Sequence, residues 1–154
     1  MTEIFFYHLE RRGLDDVLPD LVQKSLERGW RAVIRAESAE RAGAIDALLW
    51  TFDEQSFLPH AQLGDGDAAR QPVLITTEDA NANGAQLLFL VGGAVPPDWR
   101  GDLAKTFARI VMLFDGRDPA ALETARAAWK YAKAAGHGVT YWKETPRGKW
   151  EKQG

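Results

Sequence analysis

The first fifty residues alternate between apolar runs of strand length and segments with helical spacing, joined by short connections. Residues 3–9 form an apolar, aromatic run of strand length, and residues 30–35 have the pattern of a second strand. Between them, apolar side chains recur at three- and four-residue spacing over residues 14–28, the pattern of an amphipathic helix. A second helical segment covers residues 39–49. Strand–helix–strand units with short connections build parallel sheets, so this order predicts a parallel sheet covered by helices.

The rest of the chain continues the alternation. Apolar runs of strand type occupy residues 72–76, 86–91 and 109–114. Asp118 and Pro119 have the order of a helix N-cap followed by proline at the first helical position, which predicts a helix that continues to about Ala135. Residues 138–143 predict a last strand. We therefore expect one α/β domain over residues 1–143 and a polar, basic tail over residues 144–154 that frays.

Cysteine content and the first residues indicate the compartment. A chain without cysteine has no disulfide scaffold, no thiol nucleophile and no cysteine-ligated metal, and it suits a reducing environment. The first residues lack the basic segment and long apolar run of a signal peptide, and no stretch approaches the roughly 20 apolar residues of a membrane span. We therefore expect a cytoplasmic protein.

Motifs of common catalytic and cofactor sites are missing from the sequence. It contains no glycine-rich phosphate loop, no dinucleotide-binding turn after the first strand and no nucleophile elbow. The histidines His8, His60 and His137 are far apart in sequence, without the spacing of paired zinc ligands. We expect no catalytic residue, no metal and no cofactor, so the sequence favours a binding module over an enzyme.

An unusual group of rings follows the second predicted helix. Residues 50–60 contain Trp50, Phe52 and Phe57, separated by acidic residues, and then Pro59 and His60. Large apolar side chains that a local pattern cannot all bury are often anchors of a protein interface. The alternative is that Trp50 and Phe52 belong to the core and Phe57 packs a loop. We assign Phe52 to the core and keep Trp50 and Phe57 as candidates for a docking surface.

The last long helix carries a cationic face. Arg126, Trp129, Lys130 and Lys133 are spaced i, i+3, i+4 and i+7, which places them on or beside one face of the helix. Residues 117–154 hold eight Lys and Arg against four Asp and Glu, whereas residues 1–116 hold eleven against eighteen. This combination suits a peptide that ends in a hydrophobic residue and a carboxylate. Phosphate binding and a solvated helix face with a core tryptophan remain as alternatives.

Three segments together resemble the chi subunit family of bacterial DNA polymerase III. They are the N-terminal Ile-Phe-Phe-Tyr run, the segment from Ala47 to His60 with its Trp-x(6)-Phe-x-Pro-His block, and the end of the last helix from Arg126 to Gly136. The closing Tyr141-Trp142-Lys143 fits the family as well. The resemblance covers about residues 1–143. It implies a three-layer, Rossmann-like α/β sandwich, with a mostly parallel sheet and helices on both faces. It also implies a protein without catalytic activity of its own.

The resemblance implies two partners. Trp50 and Phe57 match family aromatics on the surface that meets the psi subunit of the clamp-loader complex, and Pro59 and His60 shape that loop. The second partner is the acidic, Phe-terminated tail of single-stranded DNA-binding protein, so that DNA is reached only indirectly. The residues that match its site are Arg126, Trp129, Lys130 and Gly136, with Lys133 as a further cation. A family lysine one turn before the arginine has no counterpart here, because Leu122 and Glu123 occupy that region.

Two other functions compete with this one. Asp115 and Asp118 follow a predicted strand, where doubly wound sheets often place ligands, so a small-ligand or nucleotide-binding protein is the first alternative. The second is direct nucleic-acid binding, which the formal net charge of −3 and the lack of a groove-reading motif disfavour.

Overall fold

The computed structural model describes residues 2–10, 13–51, 61–62, 71–94, 101–147 and 149–153. It contains four described helices: α1 (Leu14–Glu27), α2 (Ala39–Thr51), α3 (Asp102–Lys105) and α4 (Pro119–Ala134). The described strands are β1 (Glu3–Leu9), β2 (Ala32–Arg35), β3 (Ala61–Gln62), β4 (Val73–Thr76), β5 (Leu87–Leu90), β6 (Arg109–Asp115), β7 (Gly138–Glu144) and β8 (Trp150–Lys152).

The described strands form one sheet in the order β3-β4-β2-β5-β6-β1-β7-β8. Every pairing is parallel except that of β7 with β8, which is antiparallel. Strand β1 pairs with β6 on one side and β7 on the other, so the first strand lies inside the sheet, and most of its side chains are apolar or aromatic. The predicted α/β class, with a mostly parallel sheet, is confirmed.

Two hydrophobic cores separate the helices into two layers. On one face of the sheet, Val17 and Val22 of α1 and Ile45 of α2 pack against strand residues such as Ile34 and Ile75. On the other face, the alanines of α4 and residues around α3 pack against a second set of strand residues, among them Ile4, Phe6, Ile110 and Met112. Helices therefore cover both faces, as the three-layer prediction requires.

Two short strands escaped the sequence reading. Strand β3 has two residues, too few for a periodic pattern to register. Strand β8 lies in the tail that we expected to fray, and that prediction is wrong for these residues. Its backbone pairs with β7, and Trp150 packs on the Tyr7 ring with the ring centres 4.7 Å apart. Partial burial of this indole against Tyr7 of β1 stabilises the pairing of the tail with β7. In the part of the chain that the structure describes, no helix is long and apolar enough to cross a membrane.

Candidate functional site

Helix α4 begins where the sequence predicts. The Asp118 carboxylate accepts a hydrogen bond from the N–H of Ala120 at 3.0 Å, and so satisfies one of the N–H groups that a first turn leaves open. Pro119 occupies the first helical position, where its missing N–H is no loss. The start of α4 is therefore fixed locally.

Helix α4 ends just before Gly136, and the backbone conformation at position 136 favours glycine. Its φ of +89° lies in the left-handed region, which side chains with a Cβ adopt at a cost. The Gly136 N–H donates to the Lys133 carbonyl at 3.1 Å, and the His137 N–H donates to the Ala132 carbonyl at 3.3 Å. This pair of bonds is a Schellman motif. Gly136 thus fixes the helix end just beyond Lys133.

Burial along α4 separates its core side from its outer side. Ala125, Ala128 and Ala132 are buried, and Leu122 is half-buried against the same core. Arg126, Lys130 and Lys133 are exposed. We call these three cations together with Trp129 the cationic face of α4. Alanines on the core side let the helix lie close to the sheet, so the longer Trp129 reaches its edge.

Trp129 is half-buried, as its border position predicted. Its ring meets Phe6 of β1 edge-on at 5.5 Å between centres and Tyr141 of β7 edge-on at 5.8 Å. Edge-to-face pairs at such distances are favourable beyond their buried area. Two strands therefore hold the indole in place while the cations beside it remain in solvent.

Tyr141 connects the cationic face of α4 to a buried histidine. Its hydroxyl lies 2.5 Å from Nδ1 of His8. Burial raises the pKa of Tyr141, and the positive charge of Arg126 opposes that rise. Sequence reasoning missed both roles, because the two residues are 133 positions apart and only the β1–β7 register joins them.

His8 lies at the carboxyl end of β1 in close surroundings. Its Nε2 is 3.0 Å from a carboxylate oxygen of Glu10 without good hydrogen-bond geometry, and the same oxygen is 3.4 Å from Lys143 Nζ. Gly116 approaches so closely that a Cβ there would lie 1.8 Å from Nε2. Burial lowers the pKa of His8, and the Glu10 charge opposes the shift in part. Burial therefore favours the neutral form of the imidazole.

Trp50 is the one candidate of the predicted docking surface that the structure describes. It lies in the last turn of α2 and its side chain is 54% exposed, so the core alternative is wrong for this ring. Phe52, Phe57, Pro59 and His60 lie outside the described residues. Because α2 packs on the face of the sheet opposite to α4, the helices that carry the two candidate surfaces belong to different layers.

A cleft of about 460 Å³ opens at the carboxyl ends of β1, β5 and β6, where the alternative ligand site was expected. The acids that line it have partners within the chain. Asp115 accepts bonds from the backbone N–H of Arg117 at 2.9 Å and from its guanidinium at 3.1 Å, which lower the pKa of the carboxyl, and Asp118 caps α4. Arg41 pairs with Glu37 at 3.4 Å. No cluster of three metal-ligating side chains occurs among the described residues.

Sequence comparisons relate the chain to a known protein family. Residues 1–140 match the family model described as DNA polymerase III chi subunit, HolC. A protein of Rickettsia prowazekii (strain Madrid E), described as a probable DNA polymerase III subunit chi, is 27% identical over 120 residues. That alignment covers 75% of this chain and 71% of the relative. The family match reaches through α4, so it includes the cationic face.

Proposed function

Because the chain belongs to the DNA polymerase III chi subunit family, we propose that it is a non-catalytic accessory subunit of the holoenzyme. In this proposal it works in the cytoplasm during DNA replication. It links the clamp loader, through the psi subunit, to the acidic C-terminal tail of single-stranded DNA-binding protein. The observation that carries the proposal is the cationic face of α4, with Trp129 fixed at its border.

The chemistry of that face suits a peptide with a terminal carboxylate and an aromatic side chain. Arg126 offers a planar, bidentate donor for the carboxylate, and Trp129 offers an indole edge for the ring. Lys130 and Lys133 are exposed on the same side and favour the acidic residues that precede the terminus. Gly136 ends the helix without adding a side chain beside them. Removal of Arg126 should therefore cost about 1.5–3 kcal/mol of binding free energy, the range for a charge-assisted hydrogen bond.

Lys133 takes the place of the family lysine that is missing near Leu122. It lies in the last turn of α4, one turn beyond Trp129, and it is exposed. From there it reaches the ligand from the C-terminal side of the helix instead of the N-terminal side. We expect Lys133→Ala to weaken peptide binding and to reduce its salt dependence, while Glu123→Ala strengthens binding slightly by removing a like charge to the peptide.

The second surface is assigned to the psi subunit. Trp50 supports it, because its ring is 54% exposed on a helix end and large aromatic side chains are frequent anchors of protein interfaces. Phe57, Pro59 and His60 complete this surface by their positions in the family block, and they lie outside the described residues. The two surfaces belong to helices on opposite faces of the sheet, so one chain has room for both partners at once.

A pull-down with the full chain tests the assignment. Wild type should retain both psi and single-stranded DNA-binding protein. Arg126→Ala should lose only the binding protein, and Phe57→Ala or Trp50→Ala should lose only psi. Arg41→Ala, an exposed arginine on α2, serves as the matched control for the loss of a cation. Retention of single-stranded DNA-binding protein by Arg126→Ala would exclude the cationic face as its site.

The alternative of a small-ligand or nucleotide-binding protein depends on the cleft beside Asp115 and Asp118. Saturable thermal stabilisation of the protein by a nucleotide, without any binding of the acidic peptide, would favour it over the adaptor. We expect no such stabilisation, because both carboxylates already accept hydrogen bonds within the chain.

A further inference from the structure

The face of the sheet that carries α1 becomes a row of rings at its β8 end. Phe5 and Tyr7 of β1 point to this face, and the parallel register places Trp142 of β7 beside Tyr7. The antiparallel register of β7 with β8 adds Lys152 beside Trp142 and Trp150 two positions away. We call Phe5, Tyr7, Trp142 and Trp150 the aromatic sheet face. All four are half-buried, because α1 lies over β2 and β6 and the described helices leave these strands partly open.

The four rings form one connected set. Phe5 meets Tyr7 at 6.5 Å and Trp142 at 6.3 Å between ring centres, and Tyr7 meets Trp150 at 4.7 Å. Each contact is edge-on, with interplanar angles from 69° to 79°. Edge-on packing among the rings braces them, and each ring remains partly exposed. The exposed part of an aromatic ring can stack on another planar group.

Cations border the rings on the α1 side. A groove of about 230 Å³ runs between α1 and β8 past Tyr7 and Trp150, with Lys24, Arg28 and Arg109 along it. The guanidinium carbon of Arg28 lies 5.0 Å from the centre of the Trp30 ring, and that of Arg109 lies 4.4 Å from the centre of Phe5. Burial raises the pKa of Tyr7, and the positive charges of Arg109 and Arg28 oppose the rise.

We propose that the aromatic sheet face, with Arg28, Arg109 and Lys152 beside it, binds single-stranded DNA. Rings on neighbouring strands of an open sheet, flanked by cations, are how single-strand binders take up unpaired bases, with the rings stacking on bases and the cations meeting phosphates. A duplex keeps its bases stacked on each other and does not offer them to such a face. We assign the bound strand to DNA rather than RNA because the chain belongs to a DNA polymerase subunit family.

The charge balance predicts a modest affinity that depends on salt. Lys24 is already 3.1 Å from Asp20, and Arg109, whose side chain is half-buried, is 3.4 Å from the exposed Glu3. Surface pairs of this kind are weak, so phosphates compete with the carboxylates for the cations. With two to four phosphates contacted, the logarithm of the binding constant should fall with the logarithm of salt concentration with a slope of roughly −1.5 to −3.

This inference departs from the expectation that the chain reaches DNA only indirectly. It is independent of the proposed peptide site, which lies on the other face of the sheet. Trp150 and Lys152 lie beyond residue 140, where the family match ends. The tail that builds this end of the sheet therefore lies outside the family match.

The test is titration of the full chain with fluorescein-labelled oligothymidylate across a salt series, read by anisotropy and by quenching of tryptophan fluorescence. Stacking on Trp142 and Trp150 should quench their emission. Trp150→Ala should weaken binding roughly 5- to 100-fold, the effect of one lost base stack. Arg28→Ala and Lys152→Ala should each weaken binding and flatten the salt slope by roughly 0.7.

Matched controls separate the face from the rest of the surface. Tyr131→Ala removes a ring that is 67% exposed on α4, and Arg41→Ala removes an exposed arginine of α2; neither should change the affinity. Should Trp150→Ala fail to fold by thermal melting, the two exposed cation variants decide alone. Arg126→Ala should abolish binding of the acidic peptide and leave oligothymidylate binding intact, so failure of either site is seen separately.

Three results would overturn the inference. The first is an absence of salt-dependent binding, or binding that is unchanged in Arg28→Ala and Lys152→Ala. The second is tighter binding of a matched duplex or of oligouridylate than of oligothymidylate. The third is light scattering that shows a dimer of the chain which Trp150→Ala dissociates, because a second copy would then cover the face.

Discussion

A methyl group added at Gly116 should destabilise the protein because the His8 ring occupies the space it needs. A Cβ at this position would lie 1.8 Å from Nε2 and 2.0 Å from Cδ2 of the imidazole. The backbone conformation itself allows an alanine at this position, because the φ angle of Gly116 is not in the left-handed region. The cost of Gly116→Ala therefore comes from the contact with one side chain.

The imidazole cannot easily yield. Its Nδ1 is bonded to the Tyr141 hydroxyl at 2.5 Å, and its ring packs against Phe114 with the centres 5.2 Å apart. Overpacking of a buried site costs about 1–3 kcal/mol of unfolding free energy. Loss of the Tyr141 bond as the ring shifts adds about 1 kcal/mol. We expect Gly116→Ala to lower the free energy of unfolding by about 2–4 kcal/mol in total.

A double-mutant cycle in urea tests the explanation. In a His8→Ala background the methyl group at Gly116 meets no ring, so the same change should be neutral or should stabilise by about 0.4–1 kcal/mol through the unfolded chain. Gly43→Ala, in open space on α2, is the matched control and should stabilise by up to about 1 kcal/mol. Equal costs of Gly116→Ala in the two backgrounds would refute the steric account.

Three further predictions follow from single contacts. Burial lowers the pKa of His8, so the unfolded chain takes up a proton on this imidazole at a higher pH than the folded chain does. The free energy of unfolding should therefore fall as pH drops below about 6.5, and His8→Leu should flatten this pH dependence in urea titrations. Gly136→Ala should cost about 1 kcal/mol by forcing a side chain to a φ of +89°, seen as a lower Tm; an unchanged Tm would contradict it. Asn83 donates from its buried amide to the carbonyls of Ala32 at 3.1 Å and Gln71 at 2.8 Å. Asn83→Ala should therefore lower the free energy of unfolding by about 1–3 kcal/mol. An unchanged urea midpoint would contradict this and would show that water satisfies both carbonyls.

Local pattern was sufficient for the main elements of the fold. The bounds of β1 were predicted to the residue, and α4 was found from its Asp118–Pro119 start and its Gly136 end. Both depend on neighbours in sequence, such as side-chain spacing, caps and backbone freedom. The same reasoning placed Trp129 at the border of the helix, since spacing alone decides which residues share a face.

Long-range pairing was beyond the sequence. The contact of His8 with Tyr141 exists because β7 lies beside β1 in the sheet. Local sequence patterns do not predict that strand order. The Trp150–Tyr7 contact has the same origin, because β8 is short and polar apart from its indole. The tail was expected to fray because of its polar composition, yet its backbone pairs with β7 and the half-buried Trp150 ring packs on Tyr7.

The most direct test of the adaptor function is isothermal titration of the full chain with an acidic peptide that ends in Pro-Phe, with its terminal carboxyl either free or amidated. The account predicts that the free-carboxyl peptide binds, that amidation weakens it by about 1.5–3 kcal/mol, and that Arg126→Ala removes the difference between the two peptides. Equal binding of both peptides to wild type, or a carboxylate preference that survives Arg126→Ala, would contradict the claim that this guanidinium on the cationic face of α4 holds the tail.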